Sequence, residues 1–567
     1  MSAQVRTAGL LLISLAACAA PRWRTAPHDR LFQRAPRPRP HPAPAPRSPS
    51  EWWDAARQGG IRPVAEAISP GRHLRRLTGG TTARDVNAFG QVPDSSWFEN
   101  RAGRRAFTPA DFGRPFCGCG VPGPAPGPLL VLSGKTEGAT PGFVVRDSAG
   151  AVWLVKFDAP AFPELASGAE ATSTRLLFAA GYHVPENHVV TFDPRRLRIL
   201  PRATSVDDYN RTIPFTRRDM TGMLHLLNPD PDGGVRALFS RIVPGRPLGP
   251  FAFSGVRPDD PNDRIPHQHR RSLRGLWVFA AWLNHTEAWQ ENTLDSFVPR
   301  RPGAHLGHVV HYLVDFNATL GAGGIDPRTA NSGYSFWIDW ATVGKRLGAL
   351  GLYYPYWLAV QKSPYRAVGV FEARVFDPAR WRPDVPNPAF DEATIDDSYW
   401  AASILAQISP EVVRAAVREA RFTEPGAGSY VARVLLARRE KLLRHIFGKV
   451  LALDRPRVEG TRVSLVDLEV QAGLARAKRR CYQWQARWDR QGARDPELGR
   501  GVAARPALDL APLLARARRR GAAFDQDPFL TLSWWRVDDG VVGPRVELHL
   551  RAACGGLVPV GLERQSR

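Results

Sequence analysis

From residue 129 to about 452, short apolar runs alternate with longer stretches of helical period. Residues 129–132, 143–145, 152–158 and 309–314 carry the β-branched and aromatic density of strands. Residues 167–178 have a 3.6-residue apolar period that stops at Gly181, a residue suited to ending a helix. Residues 271–284 predict a buried helix with Leu273, Leu276, Trp277, Phe279, Ala280 and Leu283 on its apolar side, and 399–408 and 430–447 predict later helices. Beyond about 457 the pattern changes to period two, as in 462–468 and 545–550, which predicts half-buried strands. The fold class expected is α+β, a core over 129–452 followed by a small β-rich domain over 457–567. Residues 51–128, with Trp52, Trp53, Trp97 and Phe98 among Gly and Pro, are expected to pack on that core as an N-terminal extension. No internal repeat is evident.

Composition sharpens this division. Hydrophobic residues are 43% and charged residues 23% of 567, the balance of a globular protein, and the length suggests two folded units plus tails. Residues 19–50 are the exception, with nine prolines and seven arginines against one acid, and are expected to form an extended tether. The net charge is +23, yet only seven of the 77 basic residues are lysine. That arginine excess resembles the bias of a GC-rich coding sequence, so it gives no ground for a polyanionic partner, and no specific nucleic acid binding is expected.

The first residues predict export. Arg6 precedes an apolar run over 9–17, too short to span a bilayer, which ends in Leu15-Ala16-Ala17-Cys18. That tetrapeptide resembles a bacterial lipobox, with residues 1–18 as the signal peptide and Cys18 as the lipidated residue; the alternative is an ordinary secretory signal cut near Ala20. Either way the expected location is the outer membrane or periplasm, with lipid on Cys18 as the membrane contact. Of the remaining cysteines, Cys481 with Cys554 is the preferred disulfide, because both lie in the C-terminal region and an oxidising compartment permits one. Cys117 and Cys119 bracket a single Gly and make a poor zinc site.

The candidate chemistry lies in the core. Gly134-Lys135-Thr136 suggests a phosphate-binding P-loop, but Leu129 stands where that pattern needs Gly, and a strand rather than a helix follows. A glycine-rich turn between strands, with Gly134, Lys135, Thr136 and Gly138, instead suits a lid whose backbone N–H groups approach phosphate oxygens. Lys156 interrupts the next apolar run, where a scarce lysine implies a need for a compact ammonium. Glu170 follows in the predicted helix. Taken alone, Lys156 could be a snorkelling side chain and Glu170 a solvated acid.

Further along stand Glu287 and, five places later, Asn292, then a strand running into Asp315-Phe316-Asn317. With the lid, Lys156 and Glu170, this series resembles the protein-kinase-like superfamily, in its HipA-like and phosphatidylinositol-kinase-like branch. The resemblance implies a bilobal core that uses ATP and Mg²⁺. Lys156 and Glu170 would hold the α- and β-phosphates, Glu287 would take the catalytic-base position, Asn292 and Asp315 would bind the metal, and Val243 would lie in the strand and hinge beneath the adenine. Two positions depart from the pattern. The base position normally holds Asp, and Glu287 is one methylene longer; Asn317 stands where conventional kinases have Gly. The function implied is phosphoryl transfer to an unidentified substrate, or adenylyl transfer in the same cleft. The alternative is a degenerate kinase fold that acts as a non-catalytic binding or scaffold lipoprotein.

Competing sites are weaker. His305, His308 and His311 recur at every third position, but side chains on a strand alternate faces and cannot all converge on one ion. The basic run at Arg516, Arg518, Arg519 and Arg520 reads as the solvated side of a helix.

Overall fold

The computed structural model describes residues 37–47, 81–114, 116, 122–135, 140–206, 211–350, 352–489, 497–519, 529–538, 541–553 and 556–565. Helices and strands are both abundant, which makes the fold α+β. Two compact units are present. The larger holds the described parts of 34–85 and 92–446, and the smaller holds 86–91 and the described residues from Phe447 onward.

The larger unit contains a seven-stranded sheet built from β2 (Leu129–Gly134), β3 (Gly142–Arg146), β4 (Val152–Lys156), β5 (Asn187–Phe192), β6 (Leu197–Val206), β7 (Thr212–Pro214) and β8 (Val235–Arg241), in the order β5-β8-β4-β3-β2-β6-β7. The β3–β4 hairpin is set by Asp147, whose carboxylate accepts from the N–H groups of Ala149 (3.0 Å) and Ala151 (2.9 Å) and from the Trp153 indole (2.9 Å). Alternation along β4 then turns Trp153 and Val155 into the apolar core with Leu129, Val131, Phe143 and Phe239. Lys156 falls on the opposite face.

Helix α1 (Leu165–Ala180) lies across that face and is buried along nearly its whole length. It starts where Asp158 accepts from the Ser167 N–H (2.8 Å) and hydroxyl (2.6 Å), and ends at Gly181, whose φ of 126° few other residues adopt. Three contacts tie α1 to later parts of the chain. The Ser173 and Thr319 hydroxyls lie 2.6 Å apart, Arg175 pairs with Glu419 at 2.9 Å, and a Cβ added at Gly168 would come within 2.6 Å of the Phe422 ring.

The remainder of this unit is largely helical. It also carries a four-stranded sheet, in which β1 (His41–Pro42), β11 (Leu306–Leu313), β10 (Thr293–Pro299) and β9 (Arg246–Pro247) follow in that order. Here α2 (Leu276–Leu283) and α3 (Ile395–Leu405) pack around Asp397, a fully buried carboxylate that accepts from Arg271 Nε (2.8 Å) and Arg274 Nη1 (3.3 Å) and caps α3 through Thr394. Beyond them, α4 (Pro410–Glu419) packs on α1, and α5 (Ala427–Phe447) places the buried Arg438 so that it donates to the carbonyls of Trp282 (3.1 Å) and Ala281 (2.6 Å) at the end of α2.

Several expectations change. The tether assigned to 19–50 does not stand off over 37–47: His41 and Pro42 pair with Gly307 and Leu306, buried His41 reaches Asp260 at 3.2 Å, and Arg47 donates to the Leu248 carbonyl at 2.8 Å. Alternating prolines keep this stretch extended, and an edge strand tolerates their missing N–H groups. The extension assigned to 51–128 is divided, because residues 86–91 belong to the smaller unit, where Phe89 enters its apolar cluster. The core boundary falls at Phe447, ahead of the expected 452. The helix expected over 271–284 breaks at Gly275, where an added Cβ would lie 2.6 Å from the Trp400 ring. Residues 1–36, with Cys18, lie outside the described residues, as do Cys117, Cys119 and Cys554; Cys481 is exposed.

The smaller unit is β-rich. Its strands include β12 (Leu453–Glu459), β13 (Arg462–Asp467) and β16 (Ala507–Asp509) in one sheet. A second, antiparallel sheet is ordered β15 (Glu497–Ala503), β14 (Tyr482–Asp489), β17 (Phe529–Asp538), β18 (Val541–Ala553) and β19 (Gly556–Arg564). Trp534, Val546, Leu548 and Leu550 are among its fully buried side chains.

Asp397 offers a test of the helical packing. Asp397→Ala removes the carboxylate shared by two buried guanidinium groups and should cost about 3–5 kcal/mol, whereas Asp397→Asn should cost less because the amide oxygen still caps α3. Urea unfolding followed by tryptophan fluorescence measures both.

Candidate active site

Two consecutive elements and one segment distant in sequence meet at Lys156, the last residue of β4. Its ammonium donates to Glu170 Oε1 and Oε2, each at 3.0 Å, and to Asp315 Oδ1 at 2.9 Å. Glu170 comes from the second turn of α1, and its carboxylate also accepts from the Asn187 amide at 3.3 Å. Asp315 follows β11 with a φ of 56°, a left-handed conformation that Asp tolerates better than most residues, and this turns the chain as it leaves the strand.

Burial alone would lower the Lys156 pKa, but the carboxylates of Asp315 and Glu170 overcome it and raise the value, so the ammonium stays charged. Burial pushes Glu170 up, against the pull of Lys156. Asp315 would also be raised by burial, yet Lys156 and then Lys135 hold it below the usual carboxylate range. Lys135 is fixed by its own turn, where it donates to the Thr140 carbonyl (2.7 Å) and hydroxyl (3.0 Å).

A small cleft of about 190 Å³, counting its solvent-open part, adjoins these groups. Thr140, Lys156, Asp158, Ser167, Leu238 and Asn317 are among its lining residues. Its lining brings the Lys156 ammonium together with the Asp158 and Glu170 carboxylates.

Glu287 and Asn292 occupy the loop between α2 and β10. Asn284 takes a φ of 52° at the end of α2 and starts this loop. The Asn292 amide donates to the Glu287 carbonyl oxygen at 3.0 Å and to Glu287 Oε2 at 3.4 Å. The Asn292 backbone carbonyl accepts from the Val314 N–H at 3.0 Å, which sets Asn292 beside the chain entering Asp315. His285 is buried, its ring 5.4 Å from Phe316, and burial lowers its pKa to about 4, leaving it neutral. Asp315 and Asn292 offer hard oxygen donors of the kind a divalent cation takes.

Glu287 is already engaged. Its Oε1 pairs with Arg328, which also reaches Asp384 Oδ2 at 3.3 Å; Asp384 in turn accepts from the Thr286 hydroxyl at 3.1 Å. Burial raises the pKa of both Glu287 and Asp384, and Arg328 opposes this at each.

The structure thus joins Lys156, Glu170 and Asp315 directly and places Asn292 with Glu287 in one loop. Gly134 ends β2, where an added Cβ would lie 2.8 Å from Ser205 Oγ, so packing within the sheet accounts for this glycine. Thr136 and Gly138 lie outside the described residues. Val243 is half-buried between β8 and β9, and the cleft is lined from β8 by Leu238 instead. Arg328 and Asp384 carried no sequence signal, since neither stands in a recognisable spacing with Glu287.

No family model and no curated protein matches the chain. Among solved structures it is similar to two crystal structures of the Golgi casein kinase, one with Mn/ADP bound, at 8% identity and a TM-score of 0.25. The match covers 68% of this chain and 87% and 89% of those chains. A TM-score of 0.25 is too slight a likeness to fix the fold or to transfer any residue's role.

Lys156→Met should leave Glu170 and Asp315 facing each other without a cation, at a cost of about 3–5 kcal/mol near pH 7. Both carboxylates would then titrate above their unfolded values, so protons bind the folded variant preferentially as the pH falls. The stability gap between the variant and the parent protein should therefore narrow from pH 7 to pH 5 in metal-free urea titrations, and a gap that widens would contradict the pairing.

Proposed function

We propose that the larger unit is a protein-kinase-like, bilobal catalytic domain of the HipA-like branch that transfers a phosphoryl group from ATP, with Mg²⁺, to an unidentified substrate. One observation carries this reading: a strand lysine is clamped between a helix glutamate and an aspartate that follows a β-hairpin, beside a small cleft. Lys156 and Lys135 would hold phosphate oxygens, and Asp315 with Asn292 would hold the cation. The bound nucleotide and its cation would supply the phosphoryl group and neutralise its charge.

Glu287 would accept the proton of the attacking hydroxyl. Its raised pKa makes it a better proton acceptor than an exposed carboxylate, provided the Arg328 contact opens. That same contact favours a second reading, in which the unit binds nucleotide and acts as a scaffold. Adenylyl transfer would use the same cleft. We further propose export and lipid attachment at Cys18, which accounts for the sequence ahead of the folded part; Cys18→Ala should release the protein from membrane fractions.

The central test is a thermal shift of the full chain with ATP or ADP and Mg²⁺ or Mn²⁺, paired with a transfer assay. Asp315→Asn should reduce or abolish the shift. Glu287→Gln should retain it while lowering transfer by about 100-fold or more. Binding without transfer in the parent protein would select the scaffold reading, and no shift with any nucleotide and metal would overturn the catalytic one.

A further inference from the structure

The described residues expose sixteen large apolar side chains, and nine of them fall within residues 337–358. Scattered apolar side chains are ordinary on a protein surface, whereas a contiguous set marks a contact surface. The segment carries a nine-residue helix, Trp340–Gly348, capped by Asp339, which accepts from the Thr342 N–H at 3.0 Å. On that helix Trp340 is 64% and Leu347 72% exposed; just beyond it Leu350 is 91% and Leu352 79% exposed. A Cβ added at Gly344 or Gly348 would meet nothing within 4 Å, so no other part of the described chain covers those positions.

The segment projects but is not loose in its internal contacts. Trp337 packs edge-to-face on Trp289 with ring centroids 4.9 Å apart. Lys345 lies over the Tyr353 ring at 5.8 Å and Arg346 over the Trp357 ring at 6.0 Å, which folds the chain after the helix back alongside it.

Charge indicates what covers this surface. Within 337–358 the one acid, Asp339, caps the helix while Lys345 and Arg346 are exposed, and exposed Lys362 follows with no further acid before Glu372. Two of the chain's seven lysines lie here. A second copy would bring the same cations face to face. Flanking Trp and Tyr, apolar side chains on a projecting surface and long basic side chains able to reach headgroups are together the chemistry of an interfacial membrane contact. We infer that residues 337–358 dock on a lipid surface bearing anionic headgroups, apolar side chains inserted and basic ones at the phosphates. No helix among the described residues is long and apolar enough to cross a membrane, and this contact requires none.

Vesicle co-sedimentation tests the inference, using the full chain with Cys18→Ala so that no acyl chain contributes. Vesicles are phosphatidylcholine alone, or phosphatidylcholine with phosphatidylglycerol in equal parts. The chain should sediment with the mixed vesicles, less so as salt is raised. Trp340→Ser, Leu347→Ser and Leu350→Ser combined leave the charge unchanged and should reduce partition about tenfold or more, since each exposed side chain loses its apolar contact. Lys345→Glu with Arg346→Glu is an independent variant and should lose the preference for phosphatidylglycerol. Equal partition of the triple variant and its parent, or no sedimentation with either vesicle, would overturn the inference. A dimer by light scattering that the triple variant converts to monomer would overturn it in favour of a second copy.

Discussion

The ammonium of Lys156 cannot remain on a desolvated sheet face without counter-charge, and meeting that demand arranges much of the larger unit. An isolated buried charge costs several kcal/mol even after relaxation, so the carboxylates must come close with good geometry. Glu170 can reach only if α1 lies across the sheet in one rotation, and Asp315 only if the chain leaving β11 turns sharply, as its φ of 56° allows. One cation between two carboxylates leaves an excess of negative charge. Lys135, held by Thr140, lies near enough to lower Asp315 further.

A second carboxylate pair follows similar electrostatics with a different outcome. Glu287 and Asp384 share Arg328, and burial raises both pKa values. An arginine that bridges two such groups holds its neighbours in place through a planar, multiply donating head. Any reaction at Glu287 must exchange this partner for the reacting hydroxyl.

The parts of this arrangement visible in sequence are those set by short-range pattern. Lys156 stands out because lysine is scarce and because it interrupts an apolar run, and Gly181 marks the end of α1 through the conformation it alone adopts easily. The loop spacing from Glu287 to Asn292 is local, so it too can be read along the chain. Contacts made across long separations leave no such trace. Arg328 meets Glu287 across 41 residues, and His41 meets the sheet edge across more than 260. Residues 37–47 look unfoldable by composition, yet an extended proline-rich chain needs only a free strand edge to settle on. The close approach of the Trp400 ring to Gly275 is likewise hidden, because Trp400 lies far away in sequence.

Helix α1 is gripped on two sides. The sheet holds it through Glu170 and through Asp158 at its start, while the helical part holds it through Ser173 with Thr319, Arg175 with Glu419, and Phe422 seated on Gly168. A helix so placed has no low-cost way to fray or swing by itself. Local opening of α1 would have to break contacts on both sides at once, so protection of its amides should follow the stability of the whole unit rather than local hydrogen bonds.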